Sequence, residues 1–236
     1  MIRLALAAAA LLAPAAVEAQ AYRCAIPDEP LRVRPDLPTP GQPKRVLPIG
    51  GYTLALTWNP QHCRAQRREA RASFQCGGGN RFGFTLHGLW PDGTGRQWPQ
   101  YCRPAALLPD AVVRANLCAT PSVQLLQHEW AKHGTCMPGY KPASYFARAT
   151  GLYGRLRLPD MEALSRRPLT AGALASAVAA LNPGLPANAI RVTATREGWL
   201  DELWLCLDRR FRYSRCRPGS GGVTPGSDIA IWRGGR

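Results

Sequence analysis

Tyr52-Thr53-Leu54-Ala55-Leu56-Thr57-Trp58 places a large apolar side chain at every second position, the period of a strand with one face against a core. A second strand is expected at residues 82–87, and strand signals return at 190–195, 200–207 and 228–232. Between the second and third of these strands, the spacing predicts helices over 104–117, 121–133, 142–153 and 170–181. The first three open on a proline suited to a first helical turn, and the fourth stops at Asn182-Pro183-Gly184. Strands, then helices, then strands define an α+β class: a largely antiparallel central sheet packed against several helices. Ahead of the first strand, residues 20–50 are rich in proline and lack periodicity, which predicts an extended lead-in to a single domain over 51–236.

Composition narrows the class further. Of 236 residues 46% are hydrophobic, so the chain can fill a core and is not disordered, collagen-like or polytopic. Arg3 precedes an apolar run over 4–17 that is too short to span a bilayer, followed by Val17-Glu18-Ala19. Residues 1–19 are therefore expected to be a secretory signal, although a cut after Ala21 fits the same rule. Removing 1–19 takes away one charge of each sign, so the net +15 survives. The expected product is an exported monomer, periplasmic or extracellular, with no membrane attachment once the signal is gone.

All eight cysteines lie beyond the cut, and no two have C-x-x-C spacing. Four disulfides are expected, each contributing roughly 2–5 kcal/mol. A charge of +15 outside the cytoplasm points to a polyanion, whether nucleic acid, an anionic lipid surface or an acidic polysaccharide. Lys44, Lys132 and Lys141 are the only lysines among 30 basic residues, and arginine pairs well with phosphate. Arg64, Arg67, Arg68 and Arg71 recur at helical spacing and predict a solvated helix face.

Two segments carry chemistry. In His128-Glu129-Trp130-Ala131-Lys132-His133, with Thr120 as N-cap and Pro121 as first helical residue, Glu129 and His133 stack four apart, as do His128 and Lys132. All four can face one cleft, and Leu126 and Trp130 mark the buried side. A zinc protease needs histidines four apart; these are five apart and diverge by about 140° on a regular helix, so that chemistry is excluded on geometry. In Phe82-Gly83-Phe84-Thr85-Leu86-His87-Gly88-Leu89-Trp90-Pro91-Asp92, alternation sends Thr85 and His87 to the face opposite Phe84 and Leu86. His87 and the helix cluster together form an acid and base pair.

Residues 85–92 and the run from His128 to Cys136, in this order and about 40 residues apart, closely resemble the two signature blocks of the ribonuclease T2 family of secreted endoribonucleases. The resemblance covers residues 52–136 well and the remainder loosely. It implies a ribonuclease T2-like fold and cleavage of single-stranded RNA by transphosphorylation, to a 2′,3′-cyclic phosphate and then a 3′-phosphate, with no metal and no other cofactor. His133 is then the base and His87 the acid; Lys132 and Glu129 stabilise the charged phosphorane, and His128 holds the phosphate. Trp90 and Asp92 resemble the main base pocket, with Trp98 as a further ring. Relatives often carry an aromatic pair shortly before the first helix histidine; Leu125 and Leu126 stand there instead, so no sequence preference carries over. The resemblance also suggests bridges Cys102–Cys136 and Cys206–Cys216, leaving the pairing of Cys24, Cys63, Cys76 and Cys118 open. The competing expectation is a catalytically inert secreted protein that binds RNA or another polyanion on the same fold. Cell-wall binding, a third reading, gives the histidine cluster no task.

Overall fold

The computed structural model describes residues 21–66, 73–77 and 79–234. The expected signal over 1–19, and Arg67, Arg68 and Arg71, lie outside the described residues. In chain order the elements are β1 (Ala21–Arg23), β2 (Ile49–Trp58), α1 (Asn59–Ala65), β3 (Arg81–Phe82), β4 (Phe84–Gly93), α2 (Asp110–Asn116), α3 (Val123–Lys132), α4 (Pro142–Tyr153), α5 (Met161–Leu164), α6 (Ala171–Leu181), β5 (Ile190–Ala194) and β6 (Leu200–Leu207). The central sheet runs β4-β2-β6-β5, every neighbouring pair antiparallel, and β1 pairs separately with β3. The α+β reading holds. No helix among the described residues is long and apolar enough to cross a membrane.

The two faces of the sheet divide the labour. Tyr52, Leu54, Leu56 and Trp58 of β2 pair with apolar partners on β4 and β6 and are buried with them. Val113, Leu126, Trp130, Tyr145, Phe146, Leu174 and Val178 from α2, α3, α4 and α6 close over that face. Each such side chain contributes roughly 1.5–3 kcal/mol of burial. Register puts Thr53, Ala55, Thr57, Thr85, Gly88, Trp90, Glu202 and Trp204 on the other face, which bears the polar groups.

One irregularity in β4 decides what that face presents. Leu86 pairs with Leu56 but Gly88 pairs with Ala55, so β4 carries one extra residue at His87. In a regular strand, residues three apart point to opposite faces. The bulge lets His87 and Trp90 share the polar face while Leu86 and Leu89 both stay in the core.

Several expected boundaries shift. The helix predicted over 104–117 begins only at Asp110, because Pro109 forces extended backbone just before it and Leu108 N–H donates to the Gln127 side chain. Ser122, not Thr120, caps α3; the Thr120 hydroxyl donates to the Leu86 carbonyl instead, tying the helix entrance to β4. The strand expected over 228–232 is reduced to isolated bridges, since Ile229 N–H bonds Leu169 while Ala230 bonds Gly198, leaving no continuous partner.

The disulfides are Cys24–Cys118, Cys63–Cys76, Cys102–Cys136 and Cys206–Cys216, a set that fits an oxidising compartment. Two are those the resemblance suggested, and the other two resolve the open pairing. Cys24–Cys118 belongs to a strap: residues 24–48 lie across α2 and α3. Arg114 donates to the carbonyls of Pro27, Asp28 and Glu29, Leu31 N–H donates to Asp110, and Arg34 exchanges two hydrogen bonds with Gln124.

Candidate active site

β4 supplies His87, Trp90 and Asp92; α3 supplies His128, Glu129 and Lys132, and His133 is its C-cap. The Glu129 side chain reaches so far over the strand that a Cβ at Gly88 would fall 1.8 Å from its Oε2, so with this carboxylate held in place the position has room only for glycine. Trp90 stands at the centre. Its Nε1–H donates to Glu129 Oε2 at 2.9 Å, the ring of His87 meets it edge-on at 4.9 Å, and His133 stacks against it at 5.6 Å. The two imidazoles read as an acid and base pair thus lie against one indole.

His128 and His133 do not diverge as a regular helix requires; their rings lie 6.4 Å apart. The helix ends at Lys132, and at φ −108° His133 has already left its path, which swings the ring back towards His128.

The histidines differ in what holds Nδ1. That of His87 donates to Glu202 Oε1 at 2.6 Å, and Glu202 is itself fixed by Thr57 Oγ1 at 2.8 Å and Trp204 Nε1 at 2.7 Å. Its Nε2 lies 3.6 Å from Glu129 Oε1. His128 Nδ1 meets Asp36 Oδ2 at 3.0 Å. Among the described residues, the buried Nδ1 of His133 has no hydrogen-bond partner, and neither has Glu129 Oε1.

Protonation follows from these surroundings. Burial, then the charges of Lys132, His128 and His87, hold His133 well below the ordinary imidazole value. Burial pulls the same way on His87, but the hydrogen bond to Glu202 and the charges of Glu129 and Glu202 outweigh it and leave His87 raised. Glu129 is pushed up to about 7, burial prevailing over His87, Trp90 and Lys132. Burial lowers Lys132 against the opposing pull of Glu129 and Asp36. Two imidazoles whose environments drive them in opposite directions are equipped for opposite tasks in proton transfer.

The base contacts implied by the resemblance are more scattered. Asp92 accepts from Thr53 Oγ1 at 2.9 Å, and burial raises its carboxyl. Trp98 is 46% exposed, with the Arg45 guanidinium 4.9 Å from its centre, so one face of the ring is open to stacking. Leu126 is fully buried in the core and cannot touch a base. Donor atoms of His128, Glu129 and His133 lie within 4.8 Å of one another, as a metal would need. Glu129 Oε1 could serve as such a ligand, but His87 Nε2 lies 3.6 Å from it and the Lys132 ammonium acts on the same carboxylate, so positive charge is already supplied there and no metal is assigned.

Cys102–Cys136, with Tyr101 N–H on the Lys132 carbonyl and Arg103 Nε–H on the Thr135 carbonyl, fastens the end of α3 to the segment after β4. Sequence reasoning missed Glu202, Thr57 and Trp204, although an acid two residues before a tryptophan, ahead of an apolar run, was a readable signal. It also missed Asp36, for which no signal exists in a stretch without periodicity.

If the protein cleaves RNA as the resemblance implies and the Glu202 carboxylate supports the charged form of His87, Glu202→Gln is expected to reduce that cleavage by roughly tenfold to a hundredfold, the size of a lost charge-assisted hydrogen bond. It is also expected to move the alkaline fall in rate to lower pH, because His87 then releases its proton earlier. An alkaline limb in the wild-type position would refute this.

With fold and site in place, the comparisons are specific. The sequence profile of the ribonuclease T2 family matches residues 49–216. A probable ribonuclease of Haemophilus influenzae is 32% identical over 184 residues, 72% of this chain, and the match spans 62% of that protein's length. A ribonuclease of Aeromonas hydrophila is 32% identical over 165 residues, covering 67% of this chain and 71% of its own. Among solved structures, trichomaglin, described as an S-like ribonuclease, superposes with a TM-score of 0.63 at 20% identity, over 78% of this chain and 97% of its own. RNase NT in complex with 5′-AMP gives 0.61 at 21%, over 78% and 98%. A profile match over most of the described chain, on a fold shared with solved ribonucleases and with both histidine blocks packed around Trp90, shows that this chain belongs to the ribonuclease T2 family.

Proposed function

We propose that the protein is an exported endoribonuclease that cleaves single-stranded RNA without a metal, through a 2′,3′-cyclic phosphate to a 3′-phosphate. The observation that carries the reading is the contrast at Nδ1: a carboxylate behind His87, and a buried, unpartnered nitrogen on His133, with both rings against Trp90. Neutral His133 takes the proton of the 2′-hydroxyl as that oxygen attacks phosphorus. The bond from phosphorus to the 5′-oxygen breaks, and His87 gives its proton to the departing oxygen. Ring opening reverses the roles: His87 takes a proton from water, the water oxygen attacks phosphorus, and His133 returns a proton to the 2′-oxygen. Lys132 and Glu129 face the developing charge, where a fixed cation and a donor work best. His128 holds the phosphate. Trp90, Asp92 and Trp98 contact bases, stacking contributing roughly 1–3 kcal/mol per base.

Two measurements test this. Cleavage is expected to persist in EDTA and to spare DNA, which lacks the attacking hydroxyl; loss in EDTA or equal cutting of DNA contradicts it, and a protein that retains RNA without cutting it is an inert binder. The rate is expected to be bell-shaped in pH. It falls on the acid side as His133 gains a proton, below the ordinary imidazole range, and on the alkaline side as His87 loses one, above that range.

A further inference from the structure

Asp36 stands on the strap, thirteen residues before the family-matched segment opens at residue 49, yet its carboxylate reaches the catalytic cluster. Oδ2 accepts from His128 Nδ1 at 3.0 Å and Oδ1 accepts from the Tyr101 hydroxyl at 2.7 Å. Tyr101 is buried, sits edge-on to His128 and holds φ at +50°, a conformation that costs a tyrosine roughly 1–3 kcal/mol and persists only where its surroundings fix it. The Tyr101 N–H donates to the Lys132 carbonyl, so Asp36, Tyr101, His128 and the end of α3 close a ring of contacts.

The strap is held on both sides of this carboxylate. Arg34 is bonded in both directions to Gln124 on α3; further along, Arg45 bridges Gln100, and Gln100 donates to the Pro43 carbonyl. Pro35, Pro38 and Pro40 restrict the chain between, which lowers the entropy lost in placing Asp36.

We propose that Asp36 is a positioning residue: it fixes His128 with Nδ1 protonated and Nε2 turned to the substrate phosphate, so that the strap completes the active site. This rests on the ribonuclease reading. A carboxylate accepts but cannot donate, so His128 must place a hydrogen on Nδ1; the ring is made more basic, and a proton arriving at Nε2 is shared with the bound phosphate. The other charged or titratable groups around His128 are Lys132 and Glu129 on its helix, His133 at the helix end, His87 from β4 and Tyr101 from the loop. Burial first, then Lys132 and His87, hold His128 below the ordinary imidazole value; Asp36 opposes them and leaves the ring more basic than it would be without the carboxylate.

The test is Asp36→Asn in the whole protein. The asparagine oxygen still accepts from Tyr101, but its amide donates towards His128 Nδ1 and compels the opposite tautomer. Ring nitrogen shifts in NMR are expected to show His128 protonated at Nδ1 in the wild type and at Nε2 in the variant, with binding of inorganic phosphate weakened about tenfold, the equivalent of one pH unit in proton affinity. RNA cleavage is expected to fall by a similar factor and to recover in part in Asp36→Glu. An unchanged tautomer with unchanged phosphate affinity overturns the proposal, as does a loss of activity that only follows a lowered thermal midpoint. The shifts and phosphate binding are read without turnover. A wild type that cleaves no RNA therefore refutes the ribonuclease reading, and with it the role claimed for Asp36, whereas an unmoved tautomer in an active enzyme refutes this inference alone.

Discussion

Replacing His133 by alanine is expected to lower RNA cleavage by roughly 100- to 10,000-fold, the contribution of one positioned proton-transfer group, while RNA binding stays near that of the wild type. The fold is expected to tolerate the change. The ring is buried with an unpartnered nitrogen, so its removal relieves a desolvated polar atom as well as creating a void. His87→Ala is expected to cost a similar factor on RNA, and an activated substrate tells the two apart. When the 5′-nucleoside is replaced by an aryl group that leaves without a proton, the enzyme lacking His87 is expected to recover much of its rate, and the enzyme lacking His133 none. Recovery in both variants, or more than a tenth of the RNA activity left in His133→Ala, would undo the assignment of roles.

Removing the Cys24–Cys118 bridge has the second largest expected effect, and it falls on stability. The bridge closes a loop spanning 94 residues, for which chain entropy gives roughly 4–5 kcal/mol. Cys24→Ser combined with Cys118→Ser, measured by denaturant unfolding, is expected to lose a large part of that. A loss below about 1 kcal/mol would mean that the hydrogen bonds from Arg114, Asp110 and Gln124 hold the strap without it. Activity under folding conditions is expected to fall with the loosened strap, since Asp36 loses one of its anchors.

Legibility in the sequence followed periodicity. Tyr52 to Trp58 alternates cleanly and became the central strand, Leu203 to Leu207 read as a strand by its apolar run, and the two histidine blocks named their own elements. The bulge was invisible because strict alternation through His87 accounts for Thr85 and Leu86 and fails only when Trp90 is asked to share their polar partner's face. Helix geometry set His128 and His133 apart because it carried the regular step of about 100° through His133, although Gly134 in the position after the cap marks His133 as the place where the helical path is left. Glu202 lies 115 residues from His87, and Asp36 92 residues from His128. Pairings at such distances are fixed by sheet order and by the path of the strap, which no local pattern encodes.

The extra residue at His87 decides which side of the sheet each later residue of β4 faces. Were the bulge ironed out with every residue kept, Gly88 would fall opposite Leu54 and Trp90 opposite Tyr52, which turns the indole into the hydrophobic interior and parts it from His87 although every named catalytic side chain survived.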